Sequence, residues 1–144
     1  MPVPASGDCE IHTLTSAGDW KNLVWSLKSF YHFAGRRFPL VIHQDGSLPS
    51  AAQRTLEQHF PGCRLIRNEI QTPKTMAMLS SGYPRCRHLR ETNTLSRKLF
   101  DLIACLNAPT ALLLDSDLLF FSLPTVFLNA ATAVDSPNVF NGDV

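Results

Sequence analysis

Hydrophobic positions along the chain recur with two periods, one of strands and one of helices. Cys9 to Leu14 half-alternates as a strand does, and the turn-forming run Thr15-Ser16-Ala17-Gly18-Asp19 follows it. Ser16 with Asp19 three residues later fits a capping box. Trp20, Leu23, Val24, Leu27, Phe30, Tyr31 and Ala34 then repeat at helical spacing, and Gly35 supplies the stop. This predicts an amphipathic helix whose aromatic stripe belongs to the core. Phe38 to His43 is a second strand, Ser47 and Pro49 open a helix with Ala52, Leu56 and Phe60 on one face, and Pro61-Gly62 ends it. Arg64 to Arg67 is a third, short strand. A βαβαβ succession implies a parallel sheet with right-handed crossovers.

Between Glu69 and Asn93 the periodicity is lost. Gly82, Pro84 and the basic series Arg85, Arg87, His88 and Arg90 predict a long connection, which in a compact domain is usually functional or mobile. Thr94 is expected to cap a helix with Leu95, Leu99, Leu102, Ile103 and Leu106 as one stripe, and with Arg97 and Asp101 as an i, i+4 surface pair. Thr110 to Leu114 is the next strand, Leu123 to Leu128 a short helix or turn, and Asn138 to Val144 the start of a further strand. The division expected is an N-terminal tail over 1–8 and one domain over 9–144, incomplete at its C-terminus.

Two carboxylates interrupt the apolar run Ala111 to Phe121, at Asp115 and Asp117. An unpaired carboxylate in apolar surroundings is expensive, so a pair of them implies something cationic nearby. In an extended segment, residues i and i+2 share a face, and both acids can address one object roughly 7 Å across. A hydrated Mg²⁺ or Mn²⁺ fits, with positions left over for water and the oxygens of a diphosphate. In open α/β sheets, ligands bind beyond the carboxyl ends of the strands, and that is where this strand delivers Asp115 and Asp117.

Composition narrows the field. With 144 residues and 44% hydrophobic content the chain can bury one real core, and a net charge of +1 argues against nucleic-acid binding by bulk electrostatics. Cys9, Cys63, Cys86 and Cys105 are scattered without metal or disulfide spacing, which suits reduced thiols in a cytoplasmic protein. The N-terminus lacks the basic and apolar regions of a signal peptide, and no apolar run approaches ~20 residues, so no transmembrane segment is expected.

Lys98 falls on the flank of the helical stripe, near the helix start, which stands closest to the aspartates if the helix runs antiparallel to the next strand. It can stabilise a phosphate there or be a surface lysine. Asp45 ends the second strand, where an acid can accept from a ribose or simply open an Asp-Gly turn. Thr15 and Ser16 can line a nucleotide pocket, although capping alone explains Ser16. Arg90 and His88 can approach a phosphate if the long connection closes, whereas His12, His32, His43 and His59 have no metal spacing and read as core or surface residues.

The βαβαβ order, the helix bearing Arg97-Lys98-Leu99-Phe100-Asp101, and Leu113-Leu114-Asp115-Ser116-Asp117-Leu118 together resemble the nucleotide-sugar-binding half of a GT-A glycosyltransferase, over about residues 9 to 144. The resemblance implies a Rossmann-like α/β fold with a mostly parallel central sheet flanked by helices. It implies that Asp115 and Asp117, as the Asp-x-Asp acids, hold Mn²⁺ or Mg²⁺ and the ribose or diphosphate of a UDP-type donor, with Lys98 contacting the donor. Phe140-Asn141-Gly142 is similar to a stretch that opens the next strand in some members, although Asp143 departs from it. The acceptor subdomain and catalytic base would lie beyond Val144, so the donor sugar and acceptor are unread. A haloacid dehalogenase-type phosphatase also places Asp-x-Asp after an apolar strand, but near the chain start and with Thr or Val where Leu119 stands here. A non-catalytic nucleotide-binding or interaction module is the remaining alternative.

Overall fold

The structure, a computed structural model, describes residues 9–132. The expected tail over 1–8 and the expected strand from Asn138 lie outside the described residues. Chain order is β1 (Cys9–Thr15), α1 (Trp20–Ala34), β2 (Leu40–Gln44), α2 (Ser50–His59), β3 (Arg64–Leu65), α3 (Asn68–Ser80), α4 (Pro84–Thr92), a 3-10 turn (Thr94–Ser96), α5 (Arg97–Cys105), β4 (Thr110–Leu113) and α6 (Thr125–Thr132). The four strands form one parallel sheet in the order β3-β2-β1-β4. This is the α/β, Rossmann-like arrangement expected, and among the described residues no helix is long and apolar enough to cross a membrane.

All of β1 is buried, and its two faces differ in chemistry. Cys9 and Ile11 point, with Leu40, Ile42, Leu112 and Leu114, into an apolar core completed by Leu23, Leu27 and Phe30 of α1, Leu56 of α2 and Ala131 of α6. The predicted stripe of α1 is what enters this core, and Gly35 at φ 65° ends the helix in a conformation that other residues adopt only at a cost.

The opposite face carries Glu10, His12 and His43, all buried. Glu10 accepts hydrogen bonds from Arg64 Nη2 at 2.9 Å, from the Asn107 N–H at 2.9 Å and from His12 Nε2 at 3.2 Å. A carboxylate takes only donors, so His12 carries its proton on Nε2 and its bare Nδ1 accepts from His43 Nε2 at 3.0 Å. His43 Nδ1 is then a buried acceptor with no partner. Burial pushes the His43 imidazole down to about 4, helped by the neighbouring His12, and burial likewise lowers His12. Burial alone would raise Glu10, but the Asn107 N–H, His12 and Arg64 outweigh it and hold the carboxyl below its usual range.

The stretch 69–93 is not an irregular connection; it forms α3 and α4. Hydrophobic period could not find them, because their inward positions are mostly polar: Gln71, Thr75 and Leu79 on α3, and Arg90 alone on α4. Pro73 inside α3 also argues against a helix from sequence. Arg90 is not free to meet a phosphate, because its Nε and Nη2 bind the two carboxylate oxygens of Asp101 at 2.8 and 2.7 Å, with both side chains buried. Asp101 is therefore not the surface partner of Arg97. The expected stripe of α5 is reversed too: Leu95, Leu99 and Ile103 are exposed while Phe100 and Asp101 face inward, and Asn93, not Thr94, caps the turn by accepting from the Leu95 N–H.

A histidine whose folded pKa is depressed binds fewer protons than the unfolded chain does between the two values. Stability is then complete above pH 6.5 and falls as pH drops toward 4, by about 3 kcal/mol for His43 alone. Urea unfolding at pH 7.5 and pH 5 is expected to show about 2 kcal/mol of this loss in the wild type and a reduced one in His43→Gln; equal wild-type stability at both values would mean the rings are not held neutral.

Candidate functional site at the carboxyl ends of the strands

The strand order changes direction between β1 and β4, and open α/β sheets bind ligands at such a point, beyond the carboxyl ends of the strands. Four loops meet there. The backbone of β4 continues past its ladder, the Leu114 N–H donating to His12 O at 2.9 Å, and then turns at Ser116-Asp117.

That turn is pinned from below. Ser26 of α1 donates to the Asp115 carbonyl at 3.2 Å, the Phe120 N–H donates to Ser29 Oγ at 3.1 Å, and the Phe120 ring packs edge-on against Phe30 at 5.1 Å. Ser116 is buried and donates to Asp19 Oδ2 at 2.9 Å. With the middle residue of the triplet held inward, Asp115 and Asp117 are both exposed.

Asp19 is the hub of this arrangement. Its Oδ1 accepts from Thr15 Oγ1 at 3.0 Å, Ser16 Oγ at 2.8 Å and the Ser16 N–H at 2.6 Å. Burial alone would raise its pKa, but the bonds from Ser16, Ser116 and Thr15 hold the carboxyl below its ordinary value. The predicted capping box is thus half formed, with the acid reaching back to the Ser16 N–H while the Ser16 hydroxyl also turns to the acid.

Lys98, on the first turn of α5, meets Asp115 through Nζ and Oδ1, the two residues brought together as their positions on helix and strand imply. The Lys98 side chain is 28% exposed and that of Asp115 52%. An ion pair this open contributes at most about 1 kcal/mol, so either partner can be exchanged for another charge at small cost. Thr15 is buried, its hydroxyl donating to Asp19 and its carbonyl accepting from the Asp45 N–H, so it lies beneath the strand ends with no free polar group. Asp45 makes a turn, its Oδ1 accepting from the Ser47 N–H at 2.8 Å and the Ser47 hydroxyl at 2.6 Å; Oδ2 has no partner among the described residues.

Arg97 was missed in the sequence because Asp101 at i+4 offered it a surface partner. It instead reaches the end of β2 and donates from Nη1 to the Gln44 carbonyl at 3.3 Å. Burial and the nearby Arg90 lower its pKa against the opposing pull of Asp101 and Asp45. The first two residues of α5 thus send one cation to the end of β2 and one to Asp115 beyond the end of β4.

Among the described residues no three His, Cys, Asp or Glu side chains form a metal cage. Two exposed carboxylates, one of them held by Lys98, fit a hard cation that keeps waters and takes the rest of its shell from a substrate, but not a self-sufficient protein site. Burial pushes the Cys9, Cys63 and Cys105 thiols up to about 11, so they are neutral and poor nucleophiles near pH 7. Comparison of the chain with protein-family models and with curated proteins gives no match in either.

Ser116→Ala removes a hydrogen bond to a charged, part-buried acceptor. It is expected to destabilise the protein by about 1.5–3 kcal/mol in urea unfolding; no change would mean that Ser116 does not hold the turn.

Proposed function

We propose that this chain is the nucleotide-binding part of a metal-dependent glycosyltransferase of GT-A type, taking a UDP-type sugar donor and passing its sugar to an acceptor. The observation that carries the reading is the meeting of Lys98 with Asp115 at the mouth of a parallel sheet, beside an exposed Asp117. One cation and two acids on rigid supports are what a diphosphate and its divalent counter-ion require.

In this reading Asp117 and Asp115 hold Mn²⁺ or Mg²⁺, which supplies Lewis-acid neutralisation of the departing diphosphate. Thr15 lies beneath the nucleotide, and the partnerless Oδ2 of Asp45 accepts from a ribose hydroxyl. Lys98 leaves Asp115 and donates to a phosphate oxygen, its positive charge stabilising the leaving group. The exchange keeps Asp115 neutralised when the donor is absent and frees it when the donor arrives. The protein works in the cytoplasm in this reading, where a reducing poise suits its four unbridged thiols.

Calorimetry with UDP and Mn²⁺ tests the reading. Wild type is expected to bind UDP only with metal present, and Asp117→Asn to lose that binding while remaining folded. Lys98→Met is expected to bind Mn²⁺ alone at least as tightly as wild type, because Asp115 is released, yet to bind UDP about tenfold or more weakly. Wild-type UDP affinity in Asp117→Asn contradicts the proposal, and release of phosphate from a phosphomonoester favours a phosphatase instead.

A further inference from the structure

Between Asp19 and Asp45 the chain has no acidic residue, yet Lys21, Lys28, Arg36 and Arg37 all fall there. At 100° per residue, Lys21, Trp25, Lys28 and His32 lie on one face of α1, opposite the Leu23, Leu27 and Phe30 stripe, and all four are exposed. Trp25 stands in the middle of that face, 68% exposed. The segment that follows Asp117 differs in the opposite sense: over 118–132 it holds no charged residue, and Leu119 and Phe121 are 55% and 81% exposed.

The two features adjoin. Ser29, one turn beyond Trp25, accepts from the Phe120 N–H at 3.1 Å, and the Phe120 ring packs inward against Phe30 and Phe127. Phe120 thus anchors its neighbours, Leu119 and Phe121, beside the solvent face of α1. Asp19 and Asp117 stand at the end of α1 where the candidate site lies, joined through Ser116, whereas Arg36 and Arg37 extend the cationic face at the other end. Exposed apolar side chains rimmed by charge of one sign mark an interaction surface. A tryptophan and a phenylalanine flanked by cations match a bilayer with anionic headgroups: the rings enter the boundary between headgroup and acyl chain, and the cations meet the phosphates. Nucleic acid offers no apolar layer for Phe121, and a net charge of +1 gives the chain little long-range attraction to it. We infer that the solvent face of α1 and the segment 119–121 form a docking surface for anionic phospholipid bilayers. It uses neither Asp115, Asp117 nor Lys98, so the inference stands whether or not the donor reading does.

Sedimentation with lipid vesicles is the test. The protein is expected to partition onto vesicles of equal parts phosphatidylcholine and phosphatidylserine at least about tenfold more strongly than onto phosphatidylcholine alone, and to be weakened there by high salt. Lys28→Glu and Phe121→Ser, both at exposed positions, are each expected to lower that partition about tenfold or more with an unchanged thermal midpoint. In Trp20→Phe, Trp25 is the one tryptophan left, and its emission is expected to shift to the blue on the anionic vesicles. Should that variant not fold, the partition of the wild type and of the two surface variants still decides. Equal partition onto both lipids, wild-type partition in either surface variant, an unmoved Trp25 emission in folded Trp20→Phe, or a dimer that Phe121→Ser dissociates each overturns the inference, the last by assigning the surface to a second copy of the chain.

Discussion

One carboxylate joins the segments of this protein that form the candidate site. Asp19 sits where β1 gives way to α1, and it collects hydrogen bonds from Thr15, Ser16 and, 97 residues on, Ser116. All its partners are neutral donors, so it anchors the loop after β4 without losing its negative charge. Turning Ser116 inward leaves Asp115 and Asp117 nowhere to go but out, and the Ser26 and Ser29 hydroxyls of α1 fix the backbone on either side. The exposed acids are thus a consequence of what the residue between them does. A site whose support comes from strand ends and one long helix is held more closely than one carried by loops alone.

The second support is the buried Arg90–Asp101 pair. A bidentate pair away from solvent is not strong evidence of stability, but it fixes direction, since few other arrangements satisfy both groups. It binds α4 to α5, and so determines where the first turn of α5 points Arg97 and Lys98. The sheet face beneath follows the same principle: Glu10, His12, His43 and Arg64 form one connected polar chain whose proton positions follow from the carboxylate at its end. That face exchanges some apolar burial for orientation, while α1 and α2 supply the apolar core on the other.

What the sequence made legible divides along the same line. β1, α1, β2, α2 and β4 could be read because each buries an apolar stripe of the correct period, and the nearness of Lys98 to Asp115 followed from helix and strand geometry. α3 and α4 could not, because hydrophobicity does not register a helix that turns Gln71, Thr75 and Arg90 inward. Arg97 and Asp101 were misread for a related reason: i, i+4 spacing identifies a possible pair, but a better-buried competitor, Arg90, took the carboxylate. The available signal was the surplus of arginines around Asp101, which already required at least one guanidinium to look elsewhere.

Paramagnetic broadening by Mn²⁺ tests most directly whether the exposed acids capture a divalent ion. In a titration of the ¹⁵N-labelled protein, the amides of Asp115 to Leu118 and then of Lys98 are expected to broaden first, and more sharply once UDP is added. Broadening that begins elsewhere on the molecule, or that spares this turn even with UDP present, would contradict the assignment.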